Sequence, residues 1–184
     1  MLSQQGYQQY ARLLQLRVET DMPDTRVLIA ALERQERELI FTQFNEQDAH
    51  ALGESIRSAA LARNAPVTIE IRTPTRRLYF SALPGSTPDN EKWAYLKTQT
   101  VFQCYNSSML AGMKLEAEGR LQYPDALLPP DKYVLHGGAF PIRVRGAGLV
   151  AAVGISGLPS IEDHQLSTLA IAKMIGIDEI SLPS

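Results

Sequence analysis

The chain has 184 residues, of which 45% are hydrophobic and 21% charged, the profile of a globular protein with one main domain. Eighteen Lys and Arg stand against 20 Asp and Glu, so the net charge of −2 offers no overall field for nucleic acid or an anionic membrane. A single cysteine, Cys104, excludes an intramolecular disulfide and a Cys-based zinc cluster, and no apolar run reaches the ~18–20 residues of a membrane span. The opening residues lack a basic start and an apolar stretch, so the expectation is a soluble, cytoplasmic protein with no membrane or nucleic-acid partner.

In residues 3–20, Tyr7, Tyr10, Leu13, Leu14 and Val18 recur at helical steps. The segment Asp21-Met22-Pro23-Asp24 breaks that stripe, and a second one follows at Val27, Leu28, Ala31 and Leu32. The dense charges of residues 33–38 read as a solvated helical face. Residues 1–36 are therefore expected to be a helical extension whose apolar stripe docks on the domain or on another subunit. Residues 37–184 are expected to be one α/β domain.

That domain begins with a short strand at Leu39-Ile40-Phe41. Asn45 caps a helix with its apolar face at Ala49, Leu52, Ile56 and Ala60. Alternation at Val67, Ile69, Ile71 and then at Leu78, Phe80, Ala82, around Thr73-Pro74-Thr75, predicts a hairpin. Thr87-Pro88-Asp89 starts a helix running to about Cys104, and Asn106-Ser107-Ser108 caps another over residues 109–118. Pro124, Pro129 and Pro130 mark an extended surface connection.

Phe140, Ile142 and Val144 form a strand, Gly146-Ala147-Gly148 a turn, and the apolar residues 149–155 a central strand covered on both faces. Ser160, three residues before Asp163, predicts a capping box for a last helix whose buried face is Leu166, Leu169, Ala170 and Met174. Strand, helix, hairpin, two helices, hairpin and helix give a layered α/β (α+β) domain, profilin-like or sensor-like in outline. The two hairpins require antiparallel pairing.

Three constellations carry candidate chemistry. His136-Gly137-Gly138 lets backbone approach a ligand closely, its N–H groups suited to an anion; a plain glycine bend into the next strand is the competing reading. Glu162-Asp163-His164 opens a helix, where the acids serve as caps or the carboxylate–imidazole pair as a base. Asn90, Trp93 and Lys97 share one helical face and form either a ligand wall or a packed tryptophan with a lysine lying along it. His136 and His164 flank the final hairpin, and their convergence on one cavity would create a site. The spacing matches no metal motif, so no metal site is assigned. The arginines at 72, 76, 77, 143 and 145 are expected to pair with acids rather than form a binding row.

Three blocks read in order carry a family resemblance. They are Leu83-Pro84-Gly85 with Asp89-Asn90-x-x-Trp93, then Ser107-Ser108, then His136-Gly137-Gly138-Ala139-Phe140-Pro141 running on to Ser156-Gly157-Leu158-Pro159-x-x-Glu162-Asp163-His164. Together they resemble the HbpS-like and GlcG-like group of the haem-degrading-domain superfamily over about residues 37–175. The resemblance implies a five-stranded antiparallel sheet with packed helices, homo-oligomers, and haem as a possible cofactor. It also matches Lys97 to a basic position in that helix, and it implies no single activity.

Three functions follow as expectations. One is a homo-oligomeric module binding a small molecule through Asn90, Trp93, Lys97, His136, Gly137, Gly138, Glu162, Asp163 and His164. The second is an enzyme with His136 or His164 as general base. The third is a scaffold acting through its oligomer surface.

Overall fold

The central strand β5 (Gly148–Ser156) is buried from Ala151 onward, as its apolar run predicts. It pairs antiparallel with β4 (Ala139–Val144) on one side and β2 (Thr68–Arg72) on the other, and β2 pairs antiparallel with β3 (Arg77–Ala82). The computed structural model describes residues 24–178 and 180–183, so the stripe from Tyr7 to Val18 lies outside the described residues.

The five-stranded sheet has the order β1-β4-β5-β2-β3. It is mixed, not wholly antiparallel as expected: β1 (Ile40–Phe41) runs parallel to β4 on the sheet's edge. The reason is topological. No hairpin joins β1 to its neighbour, so nothing local imposes its direction. The two hairpins, β2–β3 and β4–β5, stand where the alternation put them.

Alternation along β5 separates two faces. Ala151, Val153 and Ile155 point to the main core, with Phe140 and Ile142 of β4, Ile69 and Ile71 of β2, and the helices α2 (Glu46–Ala62) and α5 (Ser160–Ile175). Ala152 points to the other face, against Val101 of α3 (Pro88–Cys104). Gly154 lies on that face too: a Cβ there would sit 2.6 Å from the Thr98 side chain and 2.7 Å from the Ala94 carbonyl. The missing side chain lets α3 lie close on the sheet, which gives a three-layer fold.

Helix α1 (Thr25–Glu38) packs on the domain through Leu28 and Leu32, both sealed against Met109 and Leu110 of α4 (Ser108–Ala117) and against Leu182. Burial on that scale contributes about 1.5–3 kcal/mol per leucine. The charged run on α1 is not a uniformly solvated face, contrary to expectation. Gln35 is buried and donates to the Ile180 carbonyl at 2.7 Å. Glu36 is buried as well, accepting from the Ser107 N–H at 2.7 Å and from Arg143 at 3.0 Å. Burial of Leu28 and Leu32 one turn earlier carries these two polar groups inward, where fixed donors and acceptors meet them.

The start of α5 also departs from expectation. Pro159 is the cap position and Ser160 the first helical residue. Ser160 Oγ accepts from the Gly137 N–H at 2.6 Å, and Asp163 Oδ1 accepts from the Leu158 N–H at 3.0 Å. The serine is therefore spent on tying the 136–138 bend to α5. On α5 itself Leu166 and Ala170 are buried, but Leu169 is 45% exposed and Met174 is exposed too. Four of the five arginines pair with acids as expected, Arg72 and Arg77 with buried Glu70, Arg143 with Glu36 and Arg76 with Glu46, whereas Arg145 has no acidic partner among the described residues.

Candidate functional site

The first half of α3 crosses the C-terminal end of β5 beside the opening turn of α5. A cleft of about 450 Å³ lies at that crossing. From α3 it is lined by Asp89, Asn90, Trp93 and Lys97, which lie at steps of one, three and four along the helix. His136 comes from the bend before β4, Ser156, Gly157 and Leu158 from the end of β5, and Ser160 and Asp163 from α5.

The cleft floor is an ion pair. Lys97 Nζ stands 2.9 Å from Asp163 Oδ2 and donates to the Ile155 carbonyl at 3.0 Å, and both residues are almost wholly buried. Burial pushes the Lys97 ammonium below the ordinary lysine range, and the Asp163 charge works against that shift. Burial likewise pushes the Asp163 carboxyl up, while Lys97 and the N–H groups of Leu158 and Gly157 pull it down. Desolvation thus drives the pair toward sharing a proton more readily than exposed partners would.

Gly138 makes room for this pair. A Cβ at that position would lie 2.7 Å from Lys97 Nζ, 2.4 Å from the Ile155 carbonyl and 3.0 Å from Asp163 Cβ. Its φ of +129° is also one that other residues rarely adopt. The second glycine of the sequence motif is therefore a packing requirement of the charged floor.

His136 stands on the cleft rim, exposed, with its ring 5.6 Å from the Trp93 ring at a tilt of 54°. Its ring nitrogens have no hydrogen-bond partner among the described residues. Surrounding protein and then the Lys97 charge lower its pKa below the ordinary histidine value, which favours the uncharged imidazole. It also lines a second, more apolar groove of about 570 Å³, walled by Met109, Met113, Leu121, Leu135 and Ile161 with Arg120 at its side. Gly137 lines that groove rather than the cleft. His136 is the side chain from the expected set that borders both cavities.

His164 is not in the cleft. Its side chain is fully buried, with Nε2 2.8 Å from Gln35 Oε1 and the ring edge-on to Phe140 at 5.8 Å. Gln35 is oriented by its donation to the Ile180 carbonyl, so its oxygen faces the ring and His164 carries its proton on Nε2. Nδ1 is buried without a partner. Burial first and Lys97 second lower the pKa to about 3. Successive positions on a helix diverge by about 100°, which is why Asp163 reaches the cleft and His164 the interior. The expected meeting of two imidazoles around one cavity is therefore replaced by His136 facing Asp163 and Lys97.

The remaining expected residues divide. Asn90 lines the cleft, but its Oδ1 accepts from the Thr87 N–H at 2.8 Å and so also caps α3. Glu162 lies outside the cleft and pairs with Arg63 at 2.6 Å on the surface. Ser156, Leu158 and Ser160 were missed as lining residues. Their signal was the turn Ser156-Gly157-Leu158-Pro159, which marks where β5 leaves the sheet. A larger groove of about 670 Å³ between α2 and α5 is lined mainly by Ala, Ser and Leu side chains and contains none of the expected site residues. Among the described residues no group of three His, Cys, Asp or Glu stands together as a metal site, and no helix is long and apolar enough to cross a membrane.

The model of the family described as "Haem degrading protein HbpS-like" matches residues 44–172, a span that contains every lining residue of the cleft. The chain belongs to the HbpS-like family. A UPF0303 protein of Streptomyces coelicolor is 43% identical over 152 residues, covering 83% of this chain and 96% of its own length. The crystal structure of Ybr137w protein superposes with a TM-score of 0.76 at 27% identity, covering 90% of this chain and 95% of that one. The PduOC:heme complex shares the fold, with a TM-score of 0.61 at 21% identity over 70% of this chain and 93% of that one.

Proposed function

We propose that this HbpS-like chain is a small-ligand-binding module, assembled as a homo-oligomer, in which the ligand contacts His136. The observation that carries the reading is the placement of that imidazole: exposed, unpaired among the described residues, and bordering two cavities. A structural histidine is normally hydrogen-bonded on both sides or sealed, as His164 nearly is.

Haem is the ligand class that the family description and the PduOC:heme relative favour, and the residues present can be tested against it. The polar cleft fits it poorly. Its cation, Lys97, is already held by Asp163, and its apolar lining is little more than Trp93 and Leu158. The adjoining groove fits better. Met109, Met113, Leu135 and Ile161 offer a wall for a planar apolar body, and Arg120 stands at the side for carboxylates. There His136 would hold the iron through its free lone pair, and the Met109 and Met113 thioethers would pack on the ring or add a sulfur donor. Haem, when bound, supplies redox-active iron. The chain's own part is to wall the macrocycle, orient it and keep His136 unprotonated.

Native mass spectrometry of the protein purified from its own host tests this reading. The expected result is an oligomer carrying a retained ligand, with the ligand lost in His136→Ala. A monomer, or an oligomer whose retained ligand is unchanged by His136→Ala, contradicts it.

A second reading rests on the same imidazole: His136 as general base for a substrate in the polar cleft. Only His136 serves it, because the His164 ring is sealed. It predicts turnover governed by a pKa below the ordinary histidine value.

A further inference from the structure

We propose that Lys97 is a carbonyl-capturing amine: the polar cleft admits a small aldehyde or ketone, and Lys97 binds it as a Schiff base. This goes beyond the haem reading and concerns the other cavity, so either stands without the other.

The first support is where the amine lies. Lys97 is 3% exposed, yet it forms part of the lining of an open cleft large enough for a small molecule. Its Nζ uses two donors, to Asp163 and to the Ile155 carbonyl, and the third has no partner among the described residues. Gly138, beside Nζ, presents no side chain to cover it.

The second support is the set of proton-handling groups around the amine. Asp163 Oδ2, 2.9 Å away, is a ready acceptor for the ammonium proton, and its other oxygen is fixed by the Leu158 N–H. Desolvation of an amine favours its uncharged, nucleophilic form, and Lys97 is displaced in that direction. His136 lines the same cleft with an unpartnered imidazole available to an oxygen substituent. An amine, a carboxylate and a neutral imidazole around one cleft are the components that carbonyl condensation uses.

The step balances without a further reagent. Lys97 gives a proton to Asp163, and the nitrogen lone pair attacks the carbonyl carbon. A C–N bond forms as the C=O π pair moves to oxygen, and a proton passes from nitrogen to that oxygen. Asp163 then returns its proton to the hydroxyl, which leaves as water. The product is a protonated imine on Lys97, paired with the Asp163 carboxylate. One carbonyl compound and one ammonium give one iminium and one water, with no oxidation or reduction.

The test uses the intact wild-type chain, so no variant has to fold. Glycolaldehyde is added with sodium cyanoborohydride at pH 6.5, and peptide mass spectrometry follows alkylation at Lys92, Lys97, Lys114, Lys132 and Lys173 with time. The expected result is labelling of Lys97 at least ten-fold faster than at the other four, at a rate that saturates with aldehyde concentration, with the preference abolished in 8 M urea. Labelling of Lys97 at or below the rate of the other lysines overturns the proposal. So does a rate that rises linearly without saturation, or a preference that survives in urea.

Discussion

Lys97 and Asp163 form an ion pair at 2.9 Å that ties the middle of α3 to the first turn of α5 across the end of β5. Removing one partner strands the other. Lys97→Met is expected to lose about 3–5 kcal/mol of stability, because an uncompensated carboxylate then stays buried. Lys97→Met with Asp163→Asn is expected to recover a large part of that loss. Urea unfolding of the two variants and the wild type measures both. Equal losses in the single and double variants would contradict the pairing.

Gly138 is expected to tolerate no side chain beside the ion pair. Gly138→Ala places a methyl group against the Ile155 carbonyl and Lys97 Nζ, at a φ of +129°. The backbone strain alone is about 1–3 kcal/mol, and displacement of the ion pair adds to it. Gly146→Ala is the control: its φ is +81°, but nothing lies within 4 Å of the new Cβ. Thermal unfolding is expected to rank Gly138→Ala clearly below Gly146→Ala.

His164 links stability to pH. Its folded pKa of about 3 lies below the ordinary value of 6.5, so between those values the unfolded chain binds the extra proton. Stability from this group is complete above about pH 6.5 and falls as pH drops, by about 1.4 kcal/mol per unit once well inside the window. His136 is shifted in the same direction and adds a slope of the same sign. The raised Asp163 carboxyl has the opposite sign, so the His164 contribution is read between pH 6.5 and 5 as the difference between the wild type and a variant lacking the imidazole. Urea midpoints over that range are expected to fall steeply in the wild type and much less in His164→Gln. Parallel slopes would rule out a neutral, buried His164.

Gln35 is expected to matter more than its neighbours on α1. Gln35→Ala leaves the His164 Nε2–H and the Ile180 carbonyl without their partners at 2.8 and 2.7 Å. Two buried unsatisfied groups together cost about 2–4 kcal/mol. Exposed Arg37→Ala, on the same helix, is expected to change stability by less than about 0.5 kcal/mol. Chemical denaturation compares the two.

Much of this was legible in the sequence. Alternation and turn residues located β2 to β5, and the Thr87-Pro88 start located α3. The three-and-four spacing of Asn90, Trp93 and Lys97 predicted the face that lines the cleft. The direction of β1 was not legible, because no hairpin fixes it. The burial of Gln35 was hidden too, since its partners lie 129 and 145 positions away and a charged run looks solvated in isolation. The adjacent pair Asp163-His164 appeared as one unit in the sequence, and helical geometry sends the two side chains to different surroundings. The groove beside His136 was invisible because its walls come from α4 and the proline-rich connection, which share no periodicity.

Absorption titration of the intact chain with haem, run on the wild type, His136→Ala and Met113→Leu, tests His136 as the ligand contact. The expected result is a shifted Soret band that saturates at micromolar haem in the wild type and in Met113→Leu and is lost in His136→Ala. A band of equal position and affinity in His136→Ala, or no band in the wild type, would contradict it.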